Sequence, residues 1–173
     1  MANISSLEKL GTFPKGVLVY GHFSSFHHGH IRFLKAAKDE GEELIVALIG
    51  DEAKSLYQGL QFNQSERATI LSHIELIDWI VMLDKDEIDL AVNKLKPKVL
   101  IFGKEFEYTS SKNIKKAIKN QALLKNEVKF LTGQVNYAST ELLDNDQFIL
   151  KEKKDKQFCE AISNQDISIQ SLI

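Results

Sequence analysis

An apolar run, Val17-Leu18-Val19-Tyr20, enters Gly21 and continues as His22-Phe23-Ser24-Ser25-Phe26-His27-His28-Gly29-His30. A β-rich run that ends in a glycine turn and meets an amphipathic segment places His27 and His30 in the first turn of a helix fed by a strand. Such a turn is a ready anion site, because its N–H groups lack intrahelical acceptors and the positive end of the helix dipole lies there. Two imidazoles three residues apart add hydrogen-bond donors, and a bound phosphate favours their protonated forms. The chemistry that fits is a grip on a phosphate chain. A zinc site built from His22, His27, His28 and His30 is the alternative. The stretch supplies no cysteine or carboxylate, and a strand-to-helix turn suits an anion better.

The elements that must hold this turn are legible as alternating apolar runs and amphipathic segments. Val17–Tyr20, Leu44–Ile49, Trp79–Leu83, Val99–Phe102 and Val128–Leu131 are short and mostly unalternating, as strands buried on both faces should be. Between them, Gly29 to Lys38 carries Ile31, Phe33, Leu34 and Ala37 on overlapping faces. Asn63-Gln64-Ser65-Glu66 has the form of a capping box opening a second helix. Ile88, Ala91, Val92 and Leu95 stripe a third, which stops before Pro97, and Ile114, Ala117 and Ile118 stripe a fourth. The order predicts an α/β fold, a Rossmann-like, doubly wound, parallel five-stranded sheet with helices on both faces. Ligands of such sheets bind beyond the carboxyl ends of the strands, where His27 and His30 fall.

The chain has 173 residues, 43% hydrophobic and 27% charged, enough for one α/β domain with a proper core. A net charge of −2 argues against nucleic acid as a partner, and no run approaches the roughly 20 apolar residues of a membrane span. The single cysteine, Cys159, suits a reducing compartment, and with no apolar leader in the first residues the expected location is cytoplasmic. A charged run from Lys151 to Lys156 opens a different region. The alternating ending Ile167 to Ile173 points either to a chain that continues or to docking on a partner subunit.

The spacing G-x-F-x-x-x-H-x-G-H after a first strand resembles the nucleotidyltransferase superfamily marked by the H-x-G-H signature. The similarity is greatest to the branch of heptose-phosphate adenylyltransferase and glycerol-3-phosphate cytidylyltransferase, and it runs from about Gly16 to Leu143. Gly50-Asp51-Glu52 looks like the family's acidic strand end. Ser65-Glu66-Arg67 leading to Ile77-Asp78-Trp79-Ile80-Val81 looks like its E-x-R helix and following strand. Lys96-Pro97 through Gly103 and Tyr137-Ala138-Ser139-Thr140 match two later blocks.

The resemblance implies a nucleotidyltransferase domain over 1–143 and a tail or linker over 144–173. It implies transfer of CMP or AMP from CTP or ATP to a small phosphorylated sugar or polyol, with pyrophosphate released. Magnesium would enter on the triphosphate rather than in a protein cage, and the assembly would be a homodimer. His27 and His30 would be the catalytic pair. Gly21, His22, Phe23, Ser24, Gly29, Arg67, Gly103, Lys104, Tyr137, Ala138, Ser139 and Thr140 would bind the nucleotide, and Lys54, Gln58 and Glu105 the acceptor.

Read alone, Ser139 or Thr140 is equally a plain helix cap, Arg67 equally a structural ion pair, and Trp79 and Phe102 core residues. Ser24 stands where relatives of this branch carry aspartate, His22 where they carry a small residue, and Gln58 where they carry a phosphate-contacting lysine. Lys54 or Lys104 would supply that charge instead. These departures leave one other class open, a nucleotide-binding sensor or scaffold on the same fold.

Overall fold

Gly16–Gly21 is buried at every position, which only a central strand allows. In the computed structural model, which describes residues 1–24, 26–51 and 62–131, this segment is β2. The chain runs β1 (Asn3–Ser6), β2, α1 (His28–Lys38), β3 (Glu43–Leu48), α2 (Gln64–Ser72), β4 (Trp79–Met82), α3 (Ile88–Leu95), β5 (Val99–Gly103), α4 (Lys112–Leu123) and β6 (Glu127–Leu131). One parallel sheet takes the order β1-β4-β3-β2-β5-β6. From β2 the chain winds outward through β3 to β4, then returns to the other side of β2 for β5 and β6. That reversal makes the sheet doubly wound and leaves a crevice at the carboxyl ends of β2 and β5.

Pleating sends successive side chains to opposite faces, and each face gains its own helical layer. Val17 and Val19 join Phe33, Leu34 and Ala37 of α1 and Ala68 and Leu71 of α2. Leu18 and Tyr20 join Ile88, Ala91, Val92 and Leu95 of α3 and Ile114 and Ala117 of α4. The helices are capped as their sequences direct. Asn63 Oδ1 accepts from Glu66 N at 2.9 Å, and Asn63 N donates to the Glu66 carboxylate at 2.8 Å. At the end of α3, Lys96 takes a left-handed φ of 49° before Pro97, which bars the helical conformation from the residue preceding it.

The fold class is as expected, but the sheet has six strands rather than five. The additional strand is β1, which pairs with β4 from Asn3↔Trp79 to Ser6↔Met82. Asn-Ile-Ser-Ser offers one aliphatic residue and lies largely exposed at an edge, so it lacks the apolar run that betrays a buried strand. The expected boundary between 143 and 144, and the tail beyond it, lie outside the described residues. Among the described residues no helix is long and apolar enough to cross a membrane.

Candidate nucleotide-binding cleft

His27 is extended backbone at the N-cap of α1, and its side chain turns back on the helix it opens. Gly29 N donates to His27 Nδ1 at 3.1 Å, while His27 N donates to His30 Nδ1 at 3.3 Å. The two imidazoles thus perform a reciprocal cap, with His30 in the place usually held by a glutamate or glutamine. Their ring centroids lie 4.1 Å apart. Because each Nδ1 accepts a backbone proton, each neutral ring carries its own proton on Nε2. Among the described residues neither Nε2 has a partner. Both rings line the same cleft.

His30 is flanked by Phe23, with centroids 5.2 Å apart, and by Phe26, stacked at 5.5 Å with an interplanar angle of 16°. Burial, reinforced by neighbouring His27, lowers the His30 pKa to about 4. At neutral pH His30 therefore stands as a neutral donor. Phe23 itself adopts a φ of 50°, a region β-carbon sterics disfavour, and its ring packs into the core. Gly21 makes room for this, since a β-carbon there would approach the Phe23 ring to 3.0 Å.

The cleft has a volume of about 460 Å³ and opens at the reversal point of the sheet. Gly21, His22, Phe23, Ser24, His27, Gly29, His30, Gly103 and Glu105, all expected at the site, line it. Glu105 is the one acidic side chain of the wall among the described residues. Its carboxylate folds over Gly103, so closely that a β-carbon on Gly103 would meet both oxygens at 2.3 Å.

Two expected nucleotide ligands are placed elsewhere. Arg67 has no side-chain exposure, and its guanidinium donates to the carbonyls of His22 at 2.5 Å and Ile49 at 2.9 Å and to Asp51 Oδ1 at 3.0 Å. Five donors in a planar fork suit it to tie two strand ends together, and none reaches the cleft. Asp51, the acidic strand end, also accepts from Gln64 N at 2.9 Å and so caps α2. Lys104 is exposed and stands outside the cleft wall, because the short turn after β5 presents Glu105 and Phe106 instead.

Residues 18–167 match the family described as cytidylyltransferase-like. The chain belongs to that family. FAD synthase of Pyrococcus abyssi is 40% identical over 95 residues, which cover 53% of this chain and 64% of that protein. The bifunctional protein HldE of Campylobacter curvus is 34% identical over 96 residues, covering 54% of this chain and 20% of that protein. The chain therefore spans less than two thirds of both. Among solved structures, the lipopolysaccharide core biosynthesis protein of Thermoplasma volcanium superposes with a TM-score of 0.55 at 23% identity, covering 67% of this chain and 93% of that one, a likeness of fold.

In this cytidylyltransferase-like chain, Lys54, Gln58, Tyr137, Ala138, Ser139 and Thr140 lie outside the described residues. Sequence reasoning missed Leu131 of the cleft wall, which the topology would have found at the carboxyl end of β6, and Phe26, which stacks on His30 and which no spacing rule marks. It also missed Asp86, whose carboxylate accepts from Tyr20 Oη at 2.5 Å and Ser111 Oγ at 3.2 Å beneath the cleft. Among the described residues no three His, Cys, Asp or Glu side chains converge to hold a metal.

His22 shares the depressed state of His30: burial, then the positive charge of Arg67, lower its pKa to about 4 against a smaller opposing pull from Asp86. Both histidines are neutral when folded and protonate near 6.5 when unfolded, so the unfolded chain binds more protons as pH falls. Their stabilising effect is complete above pH 6.5 and is lost progressively towards pH 4. Urea denaturation at pH 7 and pH 4.5 should differ by about 1–2 kcal/mol on their account, after discounting for solvent screening of half-buried rings. A His22→Gln/His30→Gln double variant should show a correspondingly smaller difference.

Proposed function

We propose that this protein transfers a nucleotidyl group from CTP or ATP to the phosphate of a small phosphorylated sugar or polyol. An acceptor phosphate oxygen bonds to the α-phosphorus in line, the bond to the β-bridging oxygen breaks, and its electron pair leaves on pyrophosphate. No covalent enzyme intermediate is needed, so the protein's work is orientation and charge stabilisation. The observation that carries this reading is the pair of Nε2 donors from His27 and His30, 4.1 Å apart between ring centroids at the positive end of α1. They would donate to phosphate oxygens as negative charge develops on the leaving group.

Tyr137, Ala138, Ser139 and Thr140 would hold the β/γ end in this scheme, with Lys54 and Gln58 on the acceptor. The imidazole-rich wall is a poor donor set for magnesium, which prefers oxygen ligands. Magnesium would arrive on the triphosphate and neutralise its charge. The likeness to an FAD synthase supports the acceptor class, because FAD contains AMP joined to the phosphate of a ribityl chain, a phosphorylated polyol. Pyrophosphate release from ATP or CTP, measured with FMN, glycerol 3-phosphate and heptose phosphates in magnesium buffer, should single out one pair. Nucleotide binding by calorimetry with no release from any pair would instead make the chain a sensor or scaffold.

A further inference from the structure

We propose that Phe26 is a positioning residue, whose ring, stacked on His30, holds that imidazole in the orientation that turns its Nε2 proton to the cleft. The inference rests on the anion-cleft reading above and adds a residue to it. Three observations converge. Phe26 stacks nearly parallel on His30, 5.5 Å between centroids at 16°. Phe23 contacts the same ring at 5.2 Å, fixed there by core packing and a backbone of positive φ. His30 Nδ1 is already spent on His27 N, so a proton arriving at Nδ1 would set two N–H groups against each other and break the reciprocal cap.

The consequence is a coupling between proton occupancy and cleft geometry. Protonating His30 both charges a ring that Phe26 and Phe23 flank in a half-buried position and breaks the hydrogen bond that closes the first turn of α1. The other groups of the wall that can carry charge are His27 and His28 on α1, His22 on the turn after β2 and Glu105 after β5. Of these His27 opposes a proton on His30, in the same direction as burial. Phe26 is the flanking ring that takes no part in the cap hydrogen bonds and is only partly buried against the core. The aromatic contact is thus what extends the neutral form of His30, and with it the cap, into mildly acidic solution.

The test follows the His30 ring by NMR titration of the full chain, as wild type, Phe26→Ala, Phe26→Leu and Phe26→Tyr. Phe26→Ala should raise the His30 midpoint by about one pH unit or more, a tenfold gain in proton affinity, while Phe26→Tyr keeps the wild-type midpoint. Phe26→Leu preserves apolar volume and serves where the alanine variant does not fold, with a smaller upward shift expected. An unmoved midpoint in a folded alanine or leucine variant overturns the proposal. The acid limb of kcat/KM should move with the midpoint. A uniform loss at every pH, with the limb in place, would show a merely structural ring. Because the titration needs no turnover, it stands apart from the assay of the proposed function. A wild type that releases no pyrophosphate with any pair would overturn that function alone.

Discussion

His30→Ala and His27→Ala should each lower kcat by about 10²–10³, the usual loss when one preorganised donor to a developing oxyanion is removed. The structure makes this prediction sharper than a simple deletion, because each ring has two jobs. Its Nδ1 closes the cap of α1, and its Nε2 faces the cleft. Alanine removes both, and loss of the His27 cap alone should cost about 1 kcal/mol of stability. Asparagine is a good N-cap, and glutamine is the ordinary partner at the third helical position. His27→Asn and His30→Gln should therefore regain the melting temperature while turnover stays low. Recovery of turnover together with the cap would assign the rings to folding. Near-native pyrophosphate release from both alanine variants would remove them from catalysis altogether.

That separation of jobs was only half legible beforehand. The spacing of His27 and His30 marked an anion site, since a strand, a glycine turn and an amphipathic segment fix where a helix begins. It could not show that the imidazoles would cap the helix themselves, because histidine is not a habitual cap and the choice is made by side-chain rotamer. The same contrast runs through the fold. Strands β2 to β5 were visible because burial on both faces demands uninterrupted apolar runs, and the partly buried edge strand β6 still offered Val128, Phe130 and Leu131. Strand β1 was not, since Asn3–Ser6 lies at an edge where one face and one ladder are left to solvent. Asn63 and Glu66 announced their cap by residue type alone. Glu105 was placed near the acceptor by its position after β5, yet its fold over Gly103 depends on a turn whose path the residues do not spell out.

Arg67 is where residue type misleads most, and it yields the second large effect. A guanidinium in a phosphate-binding family invites assignment to the triphosphate. Here its side chain is wholly buried, and its guanidinium donates to the His22 and Ile49 carbonyls and to Asp51. Those carbonyls belong to the segments leaving β2 and β3, so one fork holds two strand ends in register at the floor of the cleft. Arg67→Met should destabilise the protein by about 3–5 kcal/mol in urea denaturation, because the buried ion pair with Asp51 is broken and two inward carbonyls lose their donor. Arg67→Lys should recover less than half of that, since a single ammonium cannot meet acceptors arranged for a planar fork. Asp51→Asn should cost much less, its side chain being one-third exposed and its replacement still able to accept from Gln64 N. The ordering Met, then Lys, then Asn is what a structural clamp requires. An Arg67→Met variant that unfolds like wild type but fails to bind ATP would return the guanidinium to the nucleotide.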